Sequence, residues 1–226
     1  MEAVVVSIGG SVLAPGDPDA AYVKRLAVEL ASLSESVKLF VVTGGGRVAR
    51  AYIEAGRALG AAEPILDGLG IQATRINARL LMAALGMTDV TRIPHSVKEA
   101  VDAAKSHRIL VMGGTDPGHT TDAVAAELAV AVAAKRIVNA TSVDGVYTAD
   151  PAKDRTAKRL ERASYDDLIR LSGEAHAKAG PSIVFDPMAA RVVAKARIPL
   201  AVVGGRDLEA LRNAILGKPF LGTRVG

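Results

Sequence analysis

The stretch Leu39-Phe40-Val41-Val42-Thr43-Gly44-Gly45-Gly46 decides the fold. Its first five residues are of the apolar and β-branched types that favour a buried strand, and the glycines permit a tight turn directly after it. Beyond them, apolar side chains recur at spacings of three and four, at Val48, Tyr52, Ala55 and Leu59. This spacing places the four on one face of a helix. The stretch therefore predicts a strand, a turn and a helix in succession.

The same unit recurs along the chain. Apolar runs that end in a glycine turn occur at Val4–Ile8, Ile109–Met112, Ile137–Val138 and Leu200–Val203, before the turns Gly9–Ser11, Gly113–Thr115, Thr141–Gly145 and Gly204–Gly205. Further helices are predicted over Val23–Leu33, Val124–Val132, Asp166–Leu171 and Met188–Ala196. Parallel strands need crossover connections, which are usually helices. We therefore predict an α/β fold around a mostly parallel sheet.

Composition excludes several kinds of function. The chain has 226 residues, half of them hydrophobic, and no cysteine, which rules out disulfides, thiolate catalysis and cysteine-bound metals. Its 28 basic and 24 acidic side chains give a net charge of +4, which suits an anionic ligand. Aromatic residues make up only 3%, so we expect no nucleic-acid partner. The short apolar run Ala3–Val6 has no basic n-region, so we expect a cytoplasmic protein with no membrane partner.

Glycine turns at the carboxyl ends of parallel strands are typical of phosphate-binding sites. They let the backbone approach a phosphate, and the following helix offers free N–H groups. Each turn alone could simply be a tight turn, but several occur here, and Arg47 and Arg50 follow Gly44–Gly46. Neither the Walker A pattern nor the dinucleotide fingerprint is present. The recurrence predicts a site for several phosphates.

The third unit, Gly113–Asp122, carries the most polar groups. Its hydroxyls and its free amides near Gly118 can donate to phosphate oxygens. Two interpretations of Asp122 stand side by side: it caps its helix or interacts favourably with the helix dipole, or it orients donors and holds Mg²⁺ through water. We expect His119 to form a loop hydrogen bond, since an anionic phosphate acceptor needs no general base. In the fourth unit, Asp144 and Tyr147 are spaced to form a nucleoside pocket.

These motifs resemble the amino-acid kinase superfamily and, within it, the archaeal-type UMP kinases. The resemblance runs from end to end. It rests on I-G-G-S-V at Ile8–Val12, G-G-G-R-x-A-R at Gly44–Arg50, D-G-L-G-I-Q at Asp67–Gln72, G-G-T-D-P-G-H-T-T-D-A-V-A-A at Gly113–Ala126, V-D-G-V-Y-T-A-D-P at Val143–Pro151 and D-P-M-A-A at Asp186–Ala190. The fourth and fifth strings are the most specific.

The resemblance implies a three-layer α/β/α sandwich with about eight strands, in one domain spanning residues 1–226. An acceptor lobe would cover residues 1–130 and an ATP lobe residues 131–226. It implies phosphorylation of UMP by ATP with Mg²⁺ carried by the ATP, and a homo-oligomer, expected to be a hexamer built from dimers. The implied ATP contacts are Gly10, Ser11, Gly46, Arg50, Thr141, Tyr147 and Asp150. The implied UMP contacts are Gly45, Asp67, Gly114, Thr115, Asp116, Pro117, Gly118, His119 and Thr120. Asp122 and Arg50 are the implied catalytic residues.

One position departs from the superfamily pattern. Many members have a lysine two residues before the first glycine pair, where this chain has Ser7. Either Arg47, Arg50 and Mg²⁺ supply the positive charge, which phosphoryl transfer permits, or the chain is a weak catalyst. Two alternatives to a UMP kinase therefore stay open: a kinase of the same fold for another small acceptor, such as isopentenyl phosphate, and a nucleotide-binding protein without turnover.

Overall fold

The fold is a seven-stranded sheet between two layers of helices. The computed structural model describes residues 1–87, 93–149, 151, 153–177 and 185–226. The strands are β1 Ala3–Ile8, β2 Lys38–Thr43, β3 Ile109–Met112, β4 Arg136–Thr141, β5 Arg162–Ala163, β6 Leu200–Gly204 and β7 Thr223–Val225. Their order in the sheet is β3-β2-β1-β4-β6-β7-β5. The first five of these are parallel, and β7 runs antiparallel to β6.

Nine helices cover the two faces of the sheet within the described ranges. They are α1 Gly10–Leu13, α2 Ala20–Leu33, α3 Gly46–Ala58, α4 Glu63–Ala84, α5 Val97–Ala103, α6 Thr121–Ala131, α7 Tyr165–Ala177, α8 Pro187–Ala196 and α9 Leu208–Leu216. Helices α2, α3, α4 and α9 form one layer, and α5 to α8 form the other. None of the helices in the described ranges is long and apolar enough to cross a membrane.

The central strands lie in the middle of the core, with buried side chains of the helices packed on both of their faces. In β1 every residue from Val4 to Ile8 is buried, and β2 is buried from Leu39 to Thr43. Strands that are apolar on both faces can be buried only between two helical layers. All five strand predictions and the predicted mostly parallel sheet are confirmed by this arrangement.

Several features differ from the expectation, because α1, α5, α9 and the short strands β5 and β7 were not predicted and two further differences concern the strand count and α4. The described part of the chain forms seven strands where about eight were expected. The segment after β4 pairs with residues 158–160 only through an isolated bridge between Tyr147 and Arg159, so it is too short to count as a strand. Helix α4, with 22 residues, was not predicted, because Gly68 and Gly70 interrupt its apolar pattern.

A buried tyrosine fastens the first helical layer to the end of the sheet. Tyr22 on α2 is fully buried, and its hydroxyl donates a hydrogen bond to the carbonyl of Gly205, in the turn after β6. Burial raises the pKa of Tyr22 to about 12. The phenol is therefore neutral and remains a donor throughout the physiological pH range.

We predict that Tyr22→Phe lowers the free energy of unfolding by about 1–2 kcal/mol, because the buried carbonyl loses its donor. Tyr165→Phe is the matched control, since the Tyr165 hydroxyl, at the start of α7, has no hydrogen-bond partner among the described residues and should change stability by less than about 0.5 kcal/mol. Urea unfolding followed by circular dichroism measures both. Equal midpoints for the two variants would contradict the role assigned to the hydroxyl.

Candidate active site

Two glycine turns meet backbone to backbone at the carboxyl end of the sheet. A Cβ on Gly10 would lie 2.1 Å from the amide nitrogen of Gly46, and a Cβ on Gly44 would lie 2.6 Å from that of Gly10. Gly46 also has a φ of +61°, which L side chains rarely adopt. No other residue type fits at these positions without moving backbone. The turns after β1 and β2 are thus joined into one unit.

Helix α4 holds this unit from one side. The Asn77 side chain, which is buried, donates from Nδ2 to the carbonyl oxygen of Gly44 at 2.7 Å. The Thr43 hydroxyl donates to the carbonyl oxygen of Thr74 at 2.9 Å. Neither Asn77 nor Thr74 was predicted from sequence. Their signal is a stripe of helical spacing that runs through Leu66, Ala73, Asn77 and Leu81.

A cleft of about 290 Å³ opens beside the unit, between α3, α4 and the loop before α6. It is lined by Gly45, Ala49, Ile53, Asp67, Gly70, Ile71, Thr74, Gly114, Asp116, Gly118, His119, Thr120 and Thr121. All of the residues expected to contact UMP line it except Thr115 and Pro117. Thr115 is buried behind the loop, and Pro117 is exposed. Ile53 and Ile71 add an apolar wall that the sequence analysis missed.

The loop before α6 is held in place from α4. Asp67 accepts a hydrogen bond from the Gly118 amide at 2.8 Å, and the Thr74 hydroxyl accepts one from the Gly114 amide at 2.7 Å. Arg75 donates from Nε to the Gly114 carbonyl oxygen at 3.2 Å. Burial lowers the pKa of Arg75, while the nearby Asp116 opposes this shift. The loop on this side of the cleft is therefore held in a fixed position, and Arg75 and Asp116 place charged groups beside it.

Asp122 lies behind the loop and contacts the position where the superfamily lysine was expected. The Ser7 hydroxyl, 2% exposed, donates to Oδ1 of Asp122 at 2.9 Å. Burial raises the pKa of Asp122 to about 6, although the bonds from Ser7 and the Asp186 backbone act in the opposite direction. Asp122 does not cap α6; the Thr120 hydroxyl does, by accepting from the Ala123 amide at 3.2 Å. The capping interpretation of Asp122 is therefore wrong, whereas its position in the first turn of α6 agrees with a favourable interaction with the helix dipole.

His119 forms a loop hydrogen bond through its backbone amide, which donates to the Asp116 carbonyl oxygen at 3.2 Å, but not through Nδ1 of its side chain. Its Nδ1 is buried and has no hydrogen-bond partner among the described residues. The nearest acid is Glu127 on α6, with Oε1 at 3.6 Å from Nδ1. His119 is one of the residues that line the cleft.

The turn after β4 forms a second polar centre. The Tyr147 hydroxyl donates to Oδ1 of Asp144 at 2.6 Å, and Arg159 donates from Nη1 to Oδ2 of the same carboxylate at 2.7 Å. The bond from Tyr147, and then the Arg159 charge, lower the pKa of Asp144. Thr141 accepts from the Gly205 amide at 2.7 Å, so its turn adjoins the end of β6. Asp150, also expected here, lies outside the described residues.

Arg47 and Arg50 lie at the start of α3, next to the joined turns. Both are exposed, and neither pairs with a carboxylate in the ranges that the structure describes. Nη1 of Arg47 lies 3.6 Å from the position of a Cβ on Gly16, so its side chain extends over the loop after α1. Arg50 is not among the residues that line the cleft. The amide of Ser11 lies beside Gly46, 2.9 Å from the position of its Cβ.

The sequence of these motifs matches a known family. The model of the amino acid kinase family matches residues 2–204. The chain belongs to the amino acid kinase family. It is 46% identical to the uridylate kinase of Methanothrix thermoacetophila over 214 residues, which cover 95% of each chain. It is 44% identical to the uridylate kinase of Pyrococcus abyssi over 215 residues, 95% of this chain and 96% of the relative.

A solved structure supports the same assignment. The crystal structure of uridylate kinase from Archaeoglobus fulgidus superposes with a TM-score of 0.89, at 39% identity and with both chains fully covered. The predicted amino acid kinase fold is confirmed. Family membership also makes the chain an ATP-dependent phosphotransferase, as expected.

We predict that Asp122→Asn raises stability at neutral pH and lowers activity. Because the folded-state pKa is above the ordinary value of 3.8, the folded chain binds the extra proton, and wild-type stability falls as the pH rises from about 4 to about 6. The amide removes this loss, so the variant should gain about 2 kcal/mol above pH 7. Thermal melts at several pH values measure it.

The control is Asp17→Asn, since Asp17 lies in an exposed loop and should leave the pH profile unchanged. Turnover of Asp122→Asn should fall about a hundredfold if the carboxylate acts at the reaction centre. A variant that is no more stable than the wild type at pH 8 would contradict the burial of the charge.

Proposed function

We propose that this chain is a UMP kinase, which transfers the γ-phosphate of ATP to UMP to give UDP and ADP in pyrimidine nucleotide biosynthesis. The observation that carries the proposal is the contact between the two glycine turns, which excludes side chains and brings two stretches of backbone together beside the cleft at the carboxyl end of the sheet, where phosphates are bound in such folds. The relatives named uridylate kinase, similar over almost the whole chain, favour UMP as the acceptor. We also propose that the enzyme acts in the cytoplasm, because nucleotide biosynthesis of this kind takes place there.

We assign UMP to the cleft between α3, α4 and the loop before α6, within residues 1–130. Its apolar wall of Ile53 and Ile71 suits a base, and Asp67 suits the ribose hydroxyls. The Thr120 hydroxyl and the start of α6 suit the acceptor phosphate. We assign the ATP nucleoside to the turn after β4, in residues 131–226, where Thr141 and Tyr147 would contact it and Asp144 holds the Tyr147 hydroxyl.

Catalysis would come from positioning and charge. The acceptor oxygen of UMP is already anionic, so the site needs no general base. The amides around Gly10, Gly45 and Gly46 would hold the reacting phosphates close together and in line, which supplies much of the rate enhancement in phosphoryl transfer. Asp122, kept in place by Ser7, would orient the donors at the reaction centre.

Positive charge would come from α3, since Ser7 cannot supply it. Arg47 and Arg50 have no carboxylate partner in the described ranges, so they are available to phosphates. Mg²⁺ would enter with ATP, where it neutralises phosphate charge. This fits the donor set, because no group of three His, Cys, Asp or Glu in the described ranges could bind a metal by itself. Asp122 would contact this Mg²⁺ through water and would not be part of a metal site built by protein side chains alone.

We predict rapid turnover of UMP in an initial-rate assay with ATP and Mg²⁺, and much slower turnover of dUMP, CMP, AMP, GMP and isopentenyl phosphate. Arg50→Ala should lower kcat about a thousandfold while the circular dichroism spectrum stays unchanged. Arg108→Ala is the control, because it removes one guanidinium before β3, at the opposite end of the sheet.

Preferred turnover of another acceptor would assign the chain to a different substrate on the same fold. ATP binding without turnover of any acceptor would mean that the replacement of the lysine by Ser7 abolishes catalysis, and that the chain is a nucleotide-binding protein. Near-normal kcat in Arg50→Ala would overturn the role of that arginine. Equal rates with UMP and dUMP would contradict the assignment of Asp67 to the ribose.

We also propose that the enzyme is a homo-oligomer, a hexamer built from dimers, with the α3–α4 face between two copies. Four large apolar side chains on this face are more than half exposed: Tyr52, Leu59, Ile65 and Ile76. Large apolar side chains that are exposed together on neighbouring helices are typical of an interaction surface. Because α3 also lines the acceptor cleft, this interface would lie next to that cleft.

Light scattering tests the assembly. The wild type should have the mass of a hexamer, and Leu59→Asp with Ile65→Asp should reduce it to a smaller species with native circular dichroism. Val28→Asp is the control, because Val28 is similarly exposed on α2, away from this face. A monomeric wild type at micromolar concentration would disprove the proposal.

A further inference from the structure

A second basic cleft lies at the far edge of the sheet and is separate from the acceptor cleft. Its volume is about 280 Å³. It is lined by Arg159, Glu161, Arg162, Pro219, Phe220, Leu221, Gly222 and Arg224. Three guanidinium groups face one carboxylate here, so the cleft carries a net positive charge.

The sheet places two of these charges side by side. Arg162 on β5 is the register partner of Arg224 on β7. Neighbouring strands are about 4.8 Å apart, and like charges at directly opposite positions destabilise a sheet. Neither arginine pairs with a carboxylate in the part of the chain that the structure describes. An anion between them would relieve this repulsion.

An aromatic ring completes the cleft. The guanidinium of Arg224 lies over the ring of Phe220, 5.0 Å from its centroid. Its Nη2 also donates to the Lys218 carbonyl oxygen at 3.2 Å, which keeps the side chain against the turn after α9. A planar guanidinium fixed in this way suits the paired oxygens of a phosphate group.

The third arginine connects the cleft to the turn after β4. Arg159 lines the cleft, and its Nη1 holds Asp144 at 2.7 Å. Asp144 in turn accepts from the Tyr147 hydroxyl at 2.6 Å. A second connection runs through Thr223, which is buried on β7 and accepts from the Val146 amide at 2.8 Å. An anion that attracts Arg159 would compete with Asp144 for the same guanidinium.

We propose that this cleft binds a phosphate-bearing anion, and that the bound anion weakens ATP binding by drawing Arg159 away from Asp144 and so releasing Tyr147. The binding part depends only on the three arginines. The effect on ATP rests on the proposed function, because it takes Tyr147 as a contact of the ATP nucleoside. The two parts are tested separately.

Binding is tested by isothermal titration calorimetry with inorganic pyrophosphate, without Mg²⁺ and at constant ionic strength. We expect Arg162→Ala with Arg224→Ala to lose one binding event that the wild type shows. Lys98→Ala with Arg108→Ala removes the same charge from α5 and the segment before β3, and should retain that event. Identical isotherms for all three proteins would overturn the site. If the cleft variant melts early, Arg162→Gln alone replaces it.

Coupling is tested by the KM for ATP with and without inorganic phosphate, at fixed free Mg²⁺ and ionic strength. Phosphate should raise this KM about fivefold in the wild type and leave kcat unchanged. Without phosphate, the Arg162→Ala, Arg224→Ala variant should have the wild-type KM for ATP and the wild-type kcat. With phosphate, its KM should rise only by the amount that direct competition between phosphate and ATP at the active site causes. Asp144→Asn should bind pyrophosphate and lose the KM response. An undiminished response in the cleft variant would refute the coupling.

The source of the anion follows from a comparison of ligands. If the triphosphates UTP or GTP produce the cleft-dependent event more tightly than pyrophosphate, the ligand is a nucleotide with its base near Phe220. Equal affinities identify the phosphate groups alone as the recognised feature. Failure of all turnover, with the cleft-dependent event intact, would reject the UMP kinase proposal and keep the site.

Discussion

The contact between the turns after β1 and β2 is the constraint on which the rest of the site depends. Gly10 and Gly46 approach so closely that a Cβ on either would meet backbone atoms of the other turn at 2.1 to 2.6 Å. The atoms that such a Cβ would meet belong to the backbone, which cannot move aside as the end of a flexible side chain can. The two strands must therefore be neighbours in the sheet and must end at the same level, as the register of Ile8 with Thr43 requires. The contact between the turns therefore depends on the parallel pairing of β1 with β2.

That arrangement needs polar support, because the turns bury backbone groups that no strand can pair. Helix α4 supplies it with side chains that are unusual for a buried helical face. Asn77 satisfies the Gly44 carbonyl, and the Thr74 hydroxyl satisfies the Gly114 amide. Each unpaired buried group would cost about 1–3 kcal/mol. The same helix carries Asp67, which holds the loop on the other side of the cleft. One helix thus fixes the turn after β2 and the loop after β3 relative to each other.

The sequence predicts the central strands and the turns well because both are local features. Near-continuous apolar runs and the glycines that end them require no knowledge of distant residues. Helix α4 was not predicted, for the opposite reason: Gly68, Gly70, Thr74 and Asn77 lower its helical and apolar character. Tertiary contacts explain the last three of these residues, whereas a Cβ on Gly68 would meet no atom within 4 Å. The short strands β5 and β7 were missed because edge pairs of two or three residues carry little pattern. The bond between Ser7 and Asp122 spans 115 positions, and no local spacing predicts it.

The Ser7–Asp122 pair explains how the site can dispense with a lysine at the end of β1. A lysine there would have to be desolvated beside a carboxylate that burial already makes costly to ionise. A serine hydroxyl satisfies the same carboxylate with a neutral hydrogen bond and adds no charge to the core. The positive charge lies instead on α3, where Arg47 and Arg50 are exposed to solvent. Under the proposed function, their charge would act on the ligand and would not be neutralised by the protein's own Asp122. The pKa of about 6 at Asp122 is consistent with this separation, because a cation in direct contact would lower it.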